Sequence, residues 1–186
     1  MIDRYRIEGH AIVSADDRIA DSTGNTPHEL DNEADWLRFQ SALDEAAVVV
    51  LGRLSHAANR NTRGRNRLVI SSAASGIERL EEAWWWNPAE ASINEVLAKA
   101  APGGGIVAVP GGRLVFDLFR SHGFDAFHLA RANKVRLPGG VPIFSAIADG
   151  VTAEDILSGD GLVPGPVEVI DGDADVTLVT WRQREA

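Results

Sequence analysis

Short apolar, β-branched runs bounded by turn residues recur along the chain, and each predicts a strand. They fall at 7–14, 46–51, 67–71, 105–109 and 126–130. Two more, at 166–170 and 174–182, flank Asp171-Gly172-Asp173, a turn sequence that favours positive φ and so predicts a hairpin. The run at 46–51 is apolar without alternation, the pattern of a strand covered on both faces. Helical patterns separate these runs. Over 32–43, Ala34, Leu37, Ala42 and Leu43 stand near helical spacing, with Trp36 and Phe39 between them. Asn87-Pro88-Ala89-Glu90 predicts a second helix start: Asn caps, Pro fits the first helical position, and Glu90 reaches back to the cap. That helix is expected to run to about Ala100, where Pro102 and three glycines end it. Leu114, Val115, Leu118 and Phe119 form the apolar stripe of a third helix, ended by Gly123. Trp84-Trp85-Trp86 predicts a buried strand or strand edge, and 145–166 a long loop with one short helix. Strand and helix alternate to about residue 130 and a hairpin follows. The expected fold class is therefore α/β, one domain over 1–186 with a mostly parallel sheet.

Composition narrows the function classes. The 186 residues carry 18 Lys+Arg against 27 Asp+Glu, a net charge of −9, which argues against a general nucleic-acid or anionic-membrane surface. The absence of cysteine excludes disulfides, thiolate metal sites and a Cys nucleophile. The start, Met1-Ile2-Asp3-Arg4-Tyr5-Arg6, has no apolar h-region, so a cytosolic protein is expected. No apolar run approaches the ~20 residues that span a bilayer.

Candidate chemistry sits at strand ends. Gly52-Arg53-Leu54-Ser55 follows the strand ending at Leu51, and Gly111-Gly112 follows Val109-Pro110. In parallel α/β sheets ligands bind outside the carboxyl ends of strands, where glycines let backbone N–H groups approach a phosphate. Each glycine equally serves a tight turn. Neither matches a Walker loop or GxGxxG. Arg60, Arg63, Arg65 and Arg67 form a local positive patch, suited to a phosphate or carboxylate or simply solvated. Asp35, in the first turn of a helix among Trp36, Leu37 and Phe39, is either a proton-transfer acid beside an apolar cleft or an acid favoured by the helix N-terminus. The histidines at 10, 28, 56, 122 and 128 show no HxH or HExxH spacing, so no metal site is expected. A Ser-His-Asp hydrolase lacks its GxSxG elbow.

In order and spacing these segments resemble the dihydrofolate reductase superfamily, and within it the riboflavin-biosynthesis reductase branch. The marks are AIVSADDRIA at 11–20, DWLRF at 35–39, VVVLGRLS at 48–55, RGRNRLVISS at 63–72, PGGRLVFDLF at 110–119, FDAFHL at 124–129 and LPGGVPIF at 137–144. The resemblance implies a three-layer fold with helices on both faces of the sheet. It implies an NADPH-dependent reductase of a pterin or pyrimidine-like heterocycle. Gly52, Arg53 and Ser55 would form the first cofactor loop, with Ser55 replacing the family's Thr. Ser71 and Ser72 would join Arg53 on the 2′-phosphate. Gly111-Gly112, joined in the family by a cis peptide, with Arg113, Leu114 and Val115 would lie under the pyrophosphate. Asp35 would be the catalytic acid, and Phe39, His28 and Arg65 would meet the substrate. His28 stands where the family commonly carries Trp, and Ala130 where a Thr often supports the acid. These two positions keep open a non-catalytic, nucleotide-binding module. A homodimer is the expected assembly.

Overall fold

The computed structural model describes residues 4–148 and 150–184, so Met1, Ile2 and Asp3 of the N-terminal segment lie outside it. In chain order the strands are β1 (Tyr5–Ser14), β2 (Arg18–Ala20), β3 (Val48–Gly52), β4 (Arg67–Ile70), β5 (Ile77–Leu80), β6 (Ala83–Trp86), β7 (Gly105–Val109), β8 (Ala126–Ala132), β9 (Val141–Pro142), β10 (Leu162–Asp171) and β11 (Val176–Gln183). The helices are α1 (Glu33–Glu45), α2 (Arg53–Ala58), α3 (Ile93–Ala100), α4 (Arg113–His122) and α5 (Ala153–Gly159). Nine strands form one sheet in the order β10-β11-β8-β1-β7-β3-β4-β6-β5, and β2 pairs with β9 separately. The run from β8 to β6 is parallel. The β10–β11 hairpin at one edge and β5 at the other are antiparallel.

Two-sided burial explains the unbroken apolar strands. Along β3, Val48 and Val50 join Val115, Phe116 and Phe119 of α4 and Val96 and Leu97 of α3 in the main core. Val49 and Leu51, pointing the other way, pack with Phe39 and Leu43 of α1. The sheet thus carries α3 and α4 on one face and α1 on the other, as the resemblance implied. Asn32 caps α1, its side chain accepting the Asp35 N–H at 3.0 Å, and this sets where the helix begins over the sheet.

Several boundaries differ from the sequence expectations. The helix expected from Asn87 begins at Ile93, because Ser92 and Glu95 form a reciprocal capping box there. Asn87 is instead buried and bonds the carbonyls of Ser72 and Ala74, while Glu90 accepts from the Gly76 N–H. On α4 the core face is Val115, Phe116 and Phe119; Leu114, assigned to that stripe, is 73% exposed. The loop expected over 145–166 ends early, since β10 starts at Leu162. The positive φ of the hairpin turn falls on Asp175, not Gly172, because the Asp171 carboxylate accepts the N–H groups of Asp173 and Ala174 and sets the turn itself. Strands β2, β5 and β9 are too short or too polar to show a pattern.

Candidate active-site cleft

The carboxyl ends of β7, β3 and β4 stand side by side in the sheet, and the segments leaving β7 and β3 meet at one cleft of about 680 Å³, whereas the turn leaving β4 is not among its lining residues. From β3 the chain passes through Gly52 straight into α2, whose first residue is Arg53. Arg53 is exposed; Ser55, one half-turn on, is half-buried and lines the cleft. From β7 the chain passes through Pro110 and Gly111 to Gly112, which caps α4, and all three line the cleft. A Cβ at Gly52 would approach Val115 to 3.4 Å and one at Gly112 to 3.9 Å, so both turns close on the same valine.

Gly111 is the tightest point. Its φ of +114° suits glycine alone, and a Cβ there would sit 2.8 Å from the Phe116 ring. The peptide bond between Gly111 and Gly112 is trans, in contrast to the cis bond that the resemblance implied. Positive φ at both residues turns the chain there instead. Next to them the Arg113 Nε is buried without a hydrogen-bond partner among the described residues. The Leu114 side chain projects outward, and Val115 is buried in the core with its N–H donating to the Gly112 carbonyl. At the end of β4, Ser72 is exposed, while Ser71 is buried and its hydroxyl accepts the Ala73 N–H. A glycine turn at a helix start beside an orphaned guanidinium nitrogen fits an anionic dinucleotide.

Helix α1 supplies the opposite wall through Trp36, Phe39, Gln40 and Leu43, at the i, i+3, i+4, i+7 spacing of one helical face. Asp35 flanks that face rather than lining the cleft. It is buried, and its Oδ1 accepts both Nη2 (2.8 Å) and Nε (3.3 Å) of Arg38. Ile19 and Ala20 of β2 close the third side. His28 is exposed in a single 3₁₀ turn and is not among the lining residues. The sequence had not singled out Gln40, Ile19 or Thr62; only the spacing of Gln40 from Trp36 and Leu43 along α1 carried a signal.

The arginine patch resolves into distinct roles. Arg65 bonds Asp44 Oδ1 at 2.8 Å and Gln40 Oε1 at 2.8 Å, and Arg63 bonds the other oxygen of Asp44 at 2.5 Å. The Arg65 and Arg63 guanidiniums hold the Asp44 carboxyl below the usual carboxylate range, Arg65 contributing most. Arg67 is buried and donates to the Asn59 carbonyl at 2.7 Å, bracing the loop after α2. Arg60 lines the cleft with no ion-pair partner among the described residues. The far end of the cleft therefore carries positive charge of which only part is neutralised.

No family model and no curated protein matches the sequence. The structure is similar to a Shewanella sp. PV-4 protein assigned to riboflavin biosynthesis, with a TM-score of 0.66 and 16% identity over 97% of this chain and 99% of that one. It is similar to a diaminohydroxyphosphoribosylaminopyrimidine deaminase/5-amino-6-(5-phosphoribosylamino)uracil reductase from Thermotoga maritima, with a TM-score of 0.65 and 19% identity. That match covers 98% of this chain and 57% of the other, so the chain spans little more than half of that protein. It is also similar to a dihydrofolate reductase from Enterococcus faecalis complexed with NADP(H) and RAB-propyl, with a TM-score of 0.62 and 19% identity over 97% of each chain. The chain thus has the dihydrofolate reductase-like fold, shared with the riboflavin-type reductases. Among the described residues no helix is long and apolar enough to cross a membrane.

Proposed function

We propose that this protein is an NADPH-dependent reductase of a pterin or pyrimidine-like heterocycle. The observation that carries the proposal is the glycine cradle at Gly111-Gly112, placed beside the β3–α2 turn at the carboxyl ends of adjacent parallel strands. The named activities of the Thermotoga and Enterococcus proteins support the substrate class. When bound, NADPH supplies a hydride to a C=N carbon of the heterocycle, and water supplies the proton taken by its nitrogen. Gly52, Ser55, Gly111, Gly112 and Arg113 would hold the diphosphate. Arg53 and Ser72 would hold the 2′-phosphate, with Ser71 shaping the turn beneath them. Phe39 and Trp36 exclude water and pack against the flat ring. Asp35 orients the ring through the carboxylate oxygen that Arg38 leaves free. Arg65, braced by Asp44 and Gln40, meets an anionic tail. His28, outside the cleft lining, is given no part in holding the ring, and a homodimer is the proposed assembly.

A second reading, a nucleotide-binding module without catalysis, is favoured by the Asp35–Arg38 pair and by the absence of Asp35 from the cleft wall. Asp35→Asn separates the two. For a reductase, turnover measured by NADPH oxidation with dihydrofolate or the riboflavin-pathway aminouracil falls at least ~100-fold, with cofactor affinity unchanged. Arg38→Gln keeps the carboxylate and should keep turnover. A protein that binds NADPH but oxidises it with neither heterocycle supports the module.

A further inference from the structure

We propose that Glu8, His10 and His128 form a binding site for a divalent transition-metal ion of the zinc class on the α1 face of the sheet. Glu8 and His10 are two residues apart on β1 and so share a face. His10 lies directly opposite His128 of β8 in the strand register, and His128 lies opposite Thr180 of β11. One ligand atom from each of the three lies within 4.8 Å of the others. Glu8 Oε2 stands 3.4 Å from His128 Nε2. That is about the edge of a tetrahedron with ligands ~2.1 Å from its centre.

The independent sign of a ligand is His10. It is 1% exposed, and neither ring nitrogen has a hydrogen-bond partner among the described residues. Burying an imidazole with both nitrogens unmatched is costly, and native cores rarely leave such a group without a partner. Burial above all, with the His128 ring and Arg38 nearby, pushes its pKa down to about 3, so the ring presents the neutral form that metals take. Without an ion Glu8 Oε2 and His128 Nε2 face each other as hydrogen-bond partners, and their outer contacts suit ligation. Arg6 engages Glu8 Oε1 at 2.8 Å and leaves Oε2 facing the histidines. Thr180 Oγ1 stands 3.2 Å from His128 Nδ1, the outer contact that orients a ligating imidazole by its second nitrogen. Arg38, whose charge acts on His10, is held by Asp35. The two rings are now stacked, 4.6 Å apart and 8° from parallel, so ligation requires each to turn about χ2, a broad torsion for histidine.

Two imidazoles and one carboxylate, with no thiolate, suit Zn²⁺, Co²⁺ or Ni²⁺ over Mg²⁺ or Ca²⁺. The edge of His128 and Glu8 is partly open, leaving the fourth position to water. A bound ion would cross-link β1 to β8 directly behind Phe39, whose ring lies 6.3 Å from His10. Glu8 and His128 are 120 residues apart in the chain, which is why no sequence spacing reveals the set. The proposal is independent of the reductase function.

The test is titration of the tag-free full chain with Zn²⁺ against a chelating dye, and with Co²⁺ by visible absorption. The expected result is one ion per chain with the absorption of a four-coordinate Co²⁺ site. Affinity should fall at least ~10-fold in Glu8→Gln and His128→Gln and ~10–100-fold in Thr180→Val. His28→Gln and His122→Gln should leave it unchanged, and melts with chelator confirm that each variant folds. Absence of saturable binding, or equal binding by wild type, Glu8→Gln and His128→Gln, overturns the site.

Discussion

Gly111→Ala is expected to remove NADPH binding and to destabilise the fold by about 3 kcal/mol. Two effects add. An alanine held at φ +114° is strained by ~1–3 kcal/mol. Its Cβ would also press on the Phe116 ring at 2.8 Å, and overpacking of that kind costs ~1–3 kcal/mol. Phe116 cannot yield freely, because it is buried and packs on Phe127 and Phe144 at 5.3 and 6.0 Å between ring centroids. Relief therefore has to come from the backbone of the turn, and this is the backbone that would meet the cofactor. The thermal midpoint should fall on the order of 10 °C. A melt and an NADPH titration on the same preparation check both halves. A variant that melts near wild type and still binds NADPH would show that Gly111 is a permissive turn residue only.

Arg131→Leu is expected to cost about 3–5 kcal/mol, although the residue touches no part of the cleft. Its guanidinium contacts Asp17 at 2.7 Å and Glu154 at 2.5 Å and donates to the Ser14 carbonyl at 3.0 Å. Both acids hold the Arg131 pKa above its ordinary value in spite of burial. Asp17 is buried in the left-handed region at φ 61°, and its other oxygen accepts the Ala153 N–H at the start of α5. Removing the cation leaves that carboxylate buried and uncompensated, which is the case where a buried pair matters most. The turn from β1 to β2 would loosen, and with it Ile19 and Ala20 on the cleft wall. Urea melts measure the loss, and Asp17→Asn in the same chain should recover most of it. A loss below ~1 kcal/mol would mean that the trio behaves as an exposed surface pair.

The sheet was legible where burial on both faces makes a strand apolar throughout, as at Val48–Gly52 and Gly105–Val109, the second of which matched residue for residue. It was not legible for Ile77–Leu80, a four-residue edge strand whose middle is Glu78 and Arg79 side by side. Capping misled once: Asn87 carries every local mark of a helix start, yet its amide is taken by two carbonyls across the turn, and Ser92 starts the helix instead. The glycine turns were legible because their conformational demand is local. The pairing of Asp35 with Arg38 was also within reach, at three residues' spacing on one helix, but its burial was not. The engagement of Arg65 by Asp44 and Gln40, and the meeting of His10 with His128, depend on strands and helices brought together from distant parts of the chain, and no window of sequence contains them.

The central claim, a cofactor cradle between the β3 and β7 turns, is tested most directly by titrating the protein with NADPH and NADH and following cofactor fluorescence. Saturation at one NADPH per chain is expected, with NADH weaker and Arg53→Ala losing ~10-fold or more of the preference as a charge-assisted phosphate contact disappears. No saturable change with NADPH, or equal binding of both cofactors that Arg53→Ala leaves untouched, would contradict it.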